Sequence, residues 1–183
     1  MKKFNIVLAL YFASLVEGFA GQPSAPYTGQ QQREIKALSA DEIQNYLDGK
    51  GLGFAKTAEL NHYPGPRHVL DQAEKLHLSD EQKQSTQKIF DAMQSQAMRL
   101  GALYVQKERE LDRLFATGEI TDETLQSTLK AIGELQTDIR RVHLKAHLEQ
   151  KAVLSAEQVE RYDQLRGYAG GKNAPTSHDS HHH

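Results

Sequence analysis

Helix starts are written into this chain more plainly than anything else, and they leave little room for a fold other than a helical one. Leu38-Ser39-Ala40-Asp41-Glu42, Leu78-Ser79-Asp80-Glu81-Gln82 and Leu154-Ser155-Ala156-Glu157-Gln158 all fit one pattern. In each, the serine hydroxyl can accept the amide three residues on, while the Glu or Gln side chain reaches back to the serine amide. The leucine ahead of each serine is suited to staple the incoming chain. Thr121, followed by Asp122 and Glu123, marks a further start, with acids on the positive end of its helix. Behind Ser79, apolar residues recur at three- and four-residue steps: Ile89, Phe90, Met93, Ala97, Leu100, Leu103/Tyr104, Leu111 and Leu114/Phe115. Behind Thr121 the same stepping runs through Leu125, Leu129, Ile132, Leu135, Ile139, Val142 and Ala146. These stripes predict helices over 80–116 and 122–152, the first roughly 55 Å long. Gly118 breaks them apart, and so short a connection makes an antiparallel hairpin.

Shorter helices are expected over 33–48, 52–61 and 67–77, and a last one over 156–166, closed by Gly167. No alternating Val/Ile/Thr/Tyr run reaches five residues, so strands are not expected. The fold class is all-α: a long antiparallel helical hairpin with short flanking helices. A hairpin of this length cannot bury both stripes alone, which makes a homodimer the economical arrangement.

The ends carry a different message. Lys2 and Lys3 precede an apolar run from Phe4 to Val16, and Gly18-Phe19-Ala20 supplies small residues for cleavage before Gly21. Residues 1–20 therefore read as a cleaved signal peptide, since the run falls short of the roughly 20 apolar residues of a membrane span. The organisation that follows is a flexible linker at 21–32, short helices at 33–77, the hairpin unit at 78–169, and a disordered His-containing tail at 170–183. An exported chain with no cysteine must fold without disulfides and offers no thiolate to a soft metal. The formal net charge is −2. Losing Lys2, Lys3 and Glu17 makes it slightly more acidic, and no basic block is left to bind nucleic acid.

Catalytic motifs are absent: there is no GxSxG, no Walker loop and no HExxH. Gly49, Gly51 and Gly53 spell G-K-G-L-G-F, which lacks the third glycine of a dinucleotide fingerprint and reads as a turn. An enzyme is not expected. The histidines are the one constellation with chemical content. His143 and His147 are four apart on the second long helix and share a face. At about 100° per residue they continue the inward stripe through Leu125 and Leu129. Such a pair can hold zinc, nickel, cobalt or copper. It can equally be two half-buried imidazoles donating to a carbonyl or carboxylate. With Gly118 at the turn, His143 and His147 lie level with Gln94 and Phe90, and Met93 is within reach. If 68–76 folds back from Leu78, His68 returns to about the level of Ile89, so His68, His143 and His147 converge as a candidate metal site. His62, before the Tyr63-Pro64-Gly65-Pro66 elbow, and His77, beside a cap, read as loop residues. His178 and His181–His183 belong to the tail.

The paired boxes Leu78-Ser-Asp-Glu-Gln82 and Leu154-Ser-Ala-Glu-Gln158 resemble the LTxxQ signature of the CpxP/Spy periplasmic proteins, with Ser in place of Thr. The span from about 66 to 167 is similar to the related heavy-metal-resistance proteins, including zinc-resistance-associated and cobalt–nickel sensor members. The resemblance implies an exported, dimerising helical hairpin that binds a divalent transition metal and reports it to a membrane-bound signalling partner. Its alternative implication is an ATP-independent chaperone, an envelope-stress modulator acting on unfolded periplasmic clients. His143 and His147 resemble the hairpin His clusters of the metal-sensing members. A concave face in the chaperone members is basic and apolar, whereas this chain is slightly acidic, which favours the metal-linked function.

Overall fold

The structure is a computed structural model that describes residues 25–169. The signal-peptide reading of 1–20 and the tail at 170–183 lie outside the described residues. Six helices follow in order: α1 (Ala40–Leu47), α2 (Lys56–Glu59), α3 (Pro66–Asp71), α4 (Asp80–Thr117), α5 (Asp122–Val153) and α6 (Ala156–Arg166). No strand occurs among the described residues. Within the stretch read as a linker, Gln30–Gln32 form a single 3-10 turn.

Each anticipated helix start is built as its residues dictate. Ser39, Ser79 and Ser155 accept the amides of Glu42, Gln82 and Gln158, whose side chains return to the serine amides at 2.8, 3.1 and 2.9 Å. Thr121 forms the same reciprocal box with Thr124. Gly118 ends α4 at φ 71°, a left-handed conformation that costs glycine nothing. Helices α4 and α5 then lie side by side for most of their length. Gln136 Nε2 donates to Tyr104 Oη at 3.0 Å, and Gln150 Nε2 to Thr86 Oγ1 at 3.1 Å, which sets the anticipated register.

The short helices are shorter than expected. The helix expected at 52–61 shrinks to α2, bounded by positive φ at Leu52, Gly53 and His62, and that at 67–77 becomes α3 and stops at Asp71. The segment 33–39 stays irregular, held against α4 by Glu34–Arg109 and Lys36–Asp112 ion pairs at 2.7 and 3.0 Å.

This N-terminal segment covers much of the hairpin's inner stripe. Ile35 and Leu38 join Leu100, Tyr104, Ile132, Ile139 and Val142 in the main core. Helix α1 crosses α4 at Gly101, where a Cβ would stand 2.1 Å from the Tyr46 carbonyl oxygen, so only glycine allows that approach. A smaller core of Val69, Leu76, Leu78 and Tyr162 seats α6. Not every stripe residue turns inward. Leu103, Phe115 and Leu129 are 41–59% exposed, so Leu129 marks the outer margin of the stripe and not its centre.

The two glutamines of the paired boxes meet. Gln82 Nε2 donates to Gln158 Oε1 at 2.8 Å, and Gln158 Nε2 to Gln82 Oε1 at 3.0 Å. The same amide groups also reach the carbonyls of Val153 and Leu76. One side chain thus caps its own helix and ties the start of α4 to the start of α6. No described helix is long and apolar enough to cross a membrane.

Candidate metal centre

Towards the open end of the hairpin the interior changes character. Below Val142, the inward positions of α5 are His143, Ala146, His147 and Gln150, all buried. Opposite them α4 contributes Phe90, Met93 and Gln94, the level expected from a turn at Gly118. The loop after α1 and the start of α3 close the sides. Together they enclose a cavity of about 530 Å³, lined by His68, His143 and His147 among others. The three histidines named from the sequence therefore face one space, with Met93 beside them.

They are not equivalent. His143 is 3% exposed and its ring lies nearly parallel to Phe54, centroids 6.3 Å apart. Its Nε2 is buried and has no hydrogen-bond partner. Burial, with the neighbouring His147 adding to it, lowers the His143 pKa to about 4. The imidazole therefore stays neutral, the form that can donate a lone pair to a cation. His147 Nδ1 lies 2.7 Å from the Tyr63 carbonyl oxygen. A carbonyl can only accept, so Nδ1 carries a proton, and in the neutral ring Nε2 keeps its lone pair. A backbone carbonyl holding one imidazole nitrogen while the other is left to coordinate is the usual support for a metal-binding histidine. His147 thus makes the carbonyl bond that a purely structural histidine would make, and it still keeps one nitrogen available.

Two features that sequence reasoning did not single out shape this nitrogen's surroundings. A Cβ at Gly65 would stand 2.9 Å from His147 Cε1 and 3.0 Å from Nε2, so the elbow packs against the imidazole edge at a distance only glycine allows. Glu59, on α2, puts Oε2 3.8 Å from His147 Nδ1 while Oε1 accepts the Tyr162 hydroxyl at 2.6 Å. Arg166 Nε lies 3.4 Å from the same Oε1. The carboxylate therefore stands between the candidate ligand and α6, with its charge balanced by Arg166.

His68 lines the cavity from α3 but is half-exposed, with Nδ1 3.8 Å from Asp71 Oδ2. Among the described residues, no three His, Asp or Glu side chains stand together as a ready ligand set. The outlying histidines resolve simply. His62 occupies a turn at φ 65°, as a loop residue, and pairs its Nδ1 with Asp163 Oδ2 at 2.6 Å, pinning α6. His77 is exposed at φ 50°.

A family model for heavy-metal resistance matches residues 51–161, and the chain belongs to that family. The match takes in Gly51 and Gly53 of the glycine turn, the elbow, the whole hairpin and the first half of α6. No curated protein and no solved structure matches the chain.

Proposed function

We propose that this chain is a non-enzymatic, exported metal-binding protein that senses metal stress, with His143 and His147 as its principal ligands and His68 and Met93 in support. The observation that carries the reading is the buried, neutral His143 whose Nε2 has no partner, beside a His147 whose tautomer leaves Nε2 available. An unpartnered buried imidazole costs stability, of order 1–3 kcal/mol. A coordinate bond would repay that cost. A borderline divalent cation such as zinc, nickel, cobalt or copper suits two imidazoles and a thioether. Bound there it would crosslink α5 to its neighbours and stabilise the closed arrangement by mass action. Family membership supports the reading at the level of heavy-metal resistance. Exposed Leu103, Phe115 and Leu129 favour a dimer as the working form, and a membrane-bound signalling protein is the partner through which a closed or opened hairpin would be reported.

Calorimetric titration of the whole chain with each of the four metals tests this, beside His143→Ala/His147→Ala and Gly65→Ala. Position 65 has φ −84°, so alanine fits the backbone there and acts only by crowding His147. Any binding by His178 and His181–His183 is common to all three proteins. Both variants are expected to lose at least about tenfold in affinity. Equal binding by wild type and variants would end the metal reading. The chaperone alternative rests on an apolar groove at the hairpin tip, lined by Leu111, Phe115 and Ala116. It would take first place if the protein suppressed client aggregation equally with and without a chelator.

A further inference from the structure

The cavity that holds the histidine pair is far larger than an ion needs. A volume of about 530 Å³ lies in the range of small-molecule sites, roughly 300–1,000 Å³, whereas a water occupies about 30 Å³. The protein's own donors, His143 and His147 with His68 and Met93 in support, also leave room around a bound cation for ligands the chain does not supply. Two imidazoles come from α5, and no third His, Asp or Glu joins them in a cluster among the described residues. First-row divalent cations take four to six ligands. The rest of the wall is mixed: Phe90 and Met98 give it an apolar side, and Lys50 and Arg67 bring two cations to it, with Asp48 as a carboxylate beside Lys50.

We infer that the cavity takes its metal as a chelate, a first-row divalent cation already held by a small carboxylate chelator. His143 and His147 bind the metal, and Lys50 and Arg67 bind the chelator's carboxylates. This rests on the metal reading above and adds the class of co-ligand. Lys50 comes from the Gly49–Gly53 turn and Arg67 from the first turn of α3, so the two cations approach from elements separate from the histidine helix. Both are free to change partner. Lys50 pairs with Asp48 at 3.5 Å and Arg67 with Asp71 at 3.2 Å, and the four side chains are 41–65% exposed. Ion pairs as exposed as these hold weakly and exchange readily. Arg67 also lies over the Phe90 ring, its Cζ 5.7 Å from the centroid. That contact orients a planar guanidinium, whose fork matches a carboxylate in a bidentate way. A bare cation gains nothing from two positive side chains beside its site, each already offset by a carboxylate, Asp48 or Asp71. An anionic chelate turns the same charges into attraction.

Equilibrium dialysis of the whole chain against nickel, with and without one equivalent of radiolabelled citrate, separates the cases. Wild-type protein is expected to retain citrate with nickel in equal amounts and to retain none without nickel. Lys50→Ala/Arg67→Ala, whose side chains are exposed and whose folding circular dichroism checks, should bind nickel alone as wild type does. Its hold on nickel–citrate should weaken about tenfold. Nickel retained alone but stripped by citrate would overturn the chelate inference and leave the histidine site standing. Nickel retained equally by wild type and His143→Ala/His147→Ala, or by neither, would overturn both.

Discussion

The two halves of the hairpin are cut from the same pair of helices, but they are filled by opposite rules. Towards the turn, Leu100, Tyr104, Ile132 and Ile139 interdigitate and α1 seals them, with Gly101 letting backbone press on backbone. Towards the open end the same inward positions carry His143, His147, Gln150 and Thr86, and the packing loosens into a cavity. The first half gives the helices a rigid length; the second spends that rigidity on holding polar groups where water is scarce. A chain that only needed to fold would have continued the leucines.

That contrast can be broken by substitution, and the largest effect belongs to the apolar half. Ile139 is 2% exposed, and Ile139→Ala should cost about 3 kcal/mol of folding stability in denaturant titration. Acid strikes the other half. An unfolded His143 takes up its proton near pH 6.5, while the folded one holds off until about 4. Its contribution is therefore fully present above pH 6.5 and is lost as pH falls through about 4. The loss approaches roughly 3 kcal/mol, and stability measured along that window should show it. Gln158→Ala removes a cap, a bond to the Leu76 carbonyl and the pairing with Gln82, for about 2 kcal/mol. The smallest effect has the opposite sign. His143→Leu removes the unpartnered nitrogen, so stability should rise by about 1 kcal/mol and the acid sensitivity should shrink. If His143→Leu destabilised as much as Ile139→Ala, the two halves would not differ as described.

The long elements were legible because their signals are local. A serine and a glutamine three residues on, a three-four stepping of leucines and a glycine at the break fix where α4, α5 and α6 begin and end. Register followed from Gly118, so Phe90, Met93 and Gln94 were placed opposite the histidines from sequence alone. Four properties escaped because they are tertiary. Leu52 and His62 take positive φ, against the habit of such residues, and so α2 is cut short at both ends. Gly65 matters only because His147 arrives beside it from 82 residues away. Lys50 looks like an ordinary turn residue until the loop folds over the cavity, and Leu129 looks inward until the width of the stripe is known.

The paired glutamines have a consequence for the conditions this hairpin can meet. A primary amide carries no charge and takes up no proton at any pH a cell sustains. The joint between Gln82 and Gln158 consists of such groups alone, with backbone carbonyls as its remaining acceptors. Added salt has no charge there to screen and acid has no base to fill, whereas both act on the ion pairs and imidazoles elsewhere. The clasp at the open end is therefore deaf to ionic surroundings. The cavity a few turns away can change its protonation or its contents while the ends of the hairpin stay fastened.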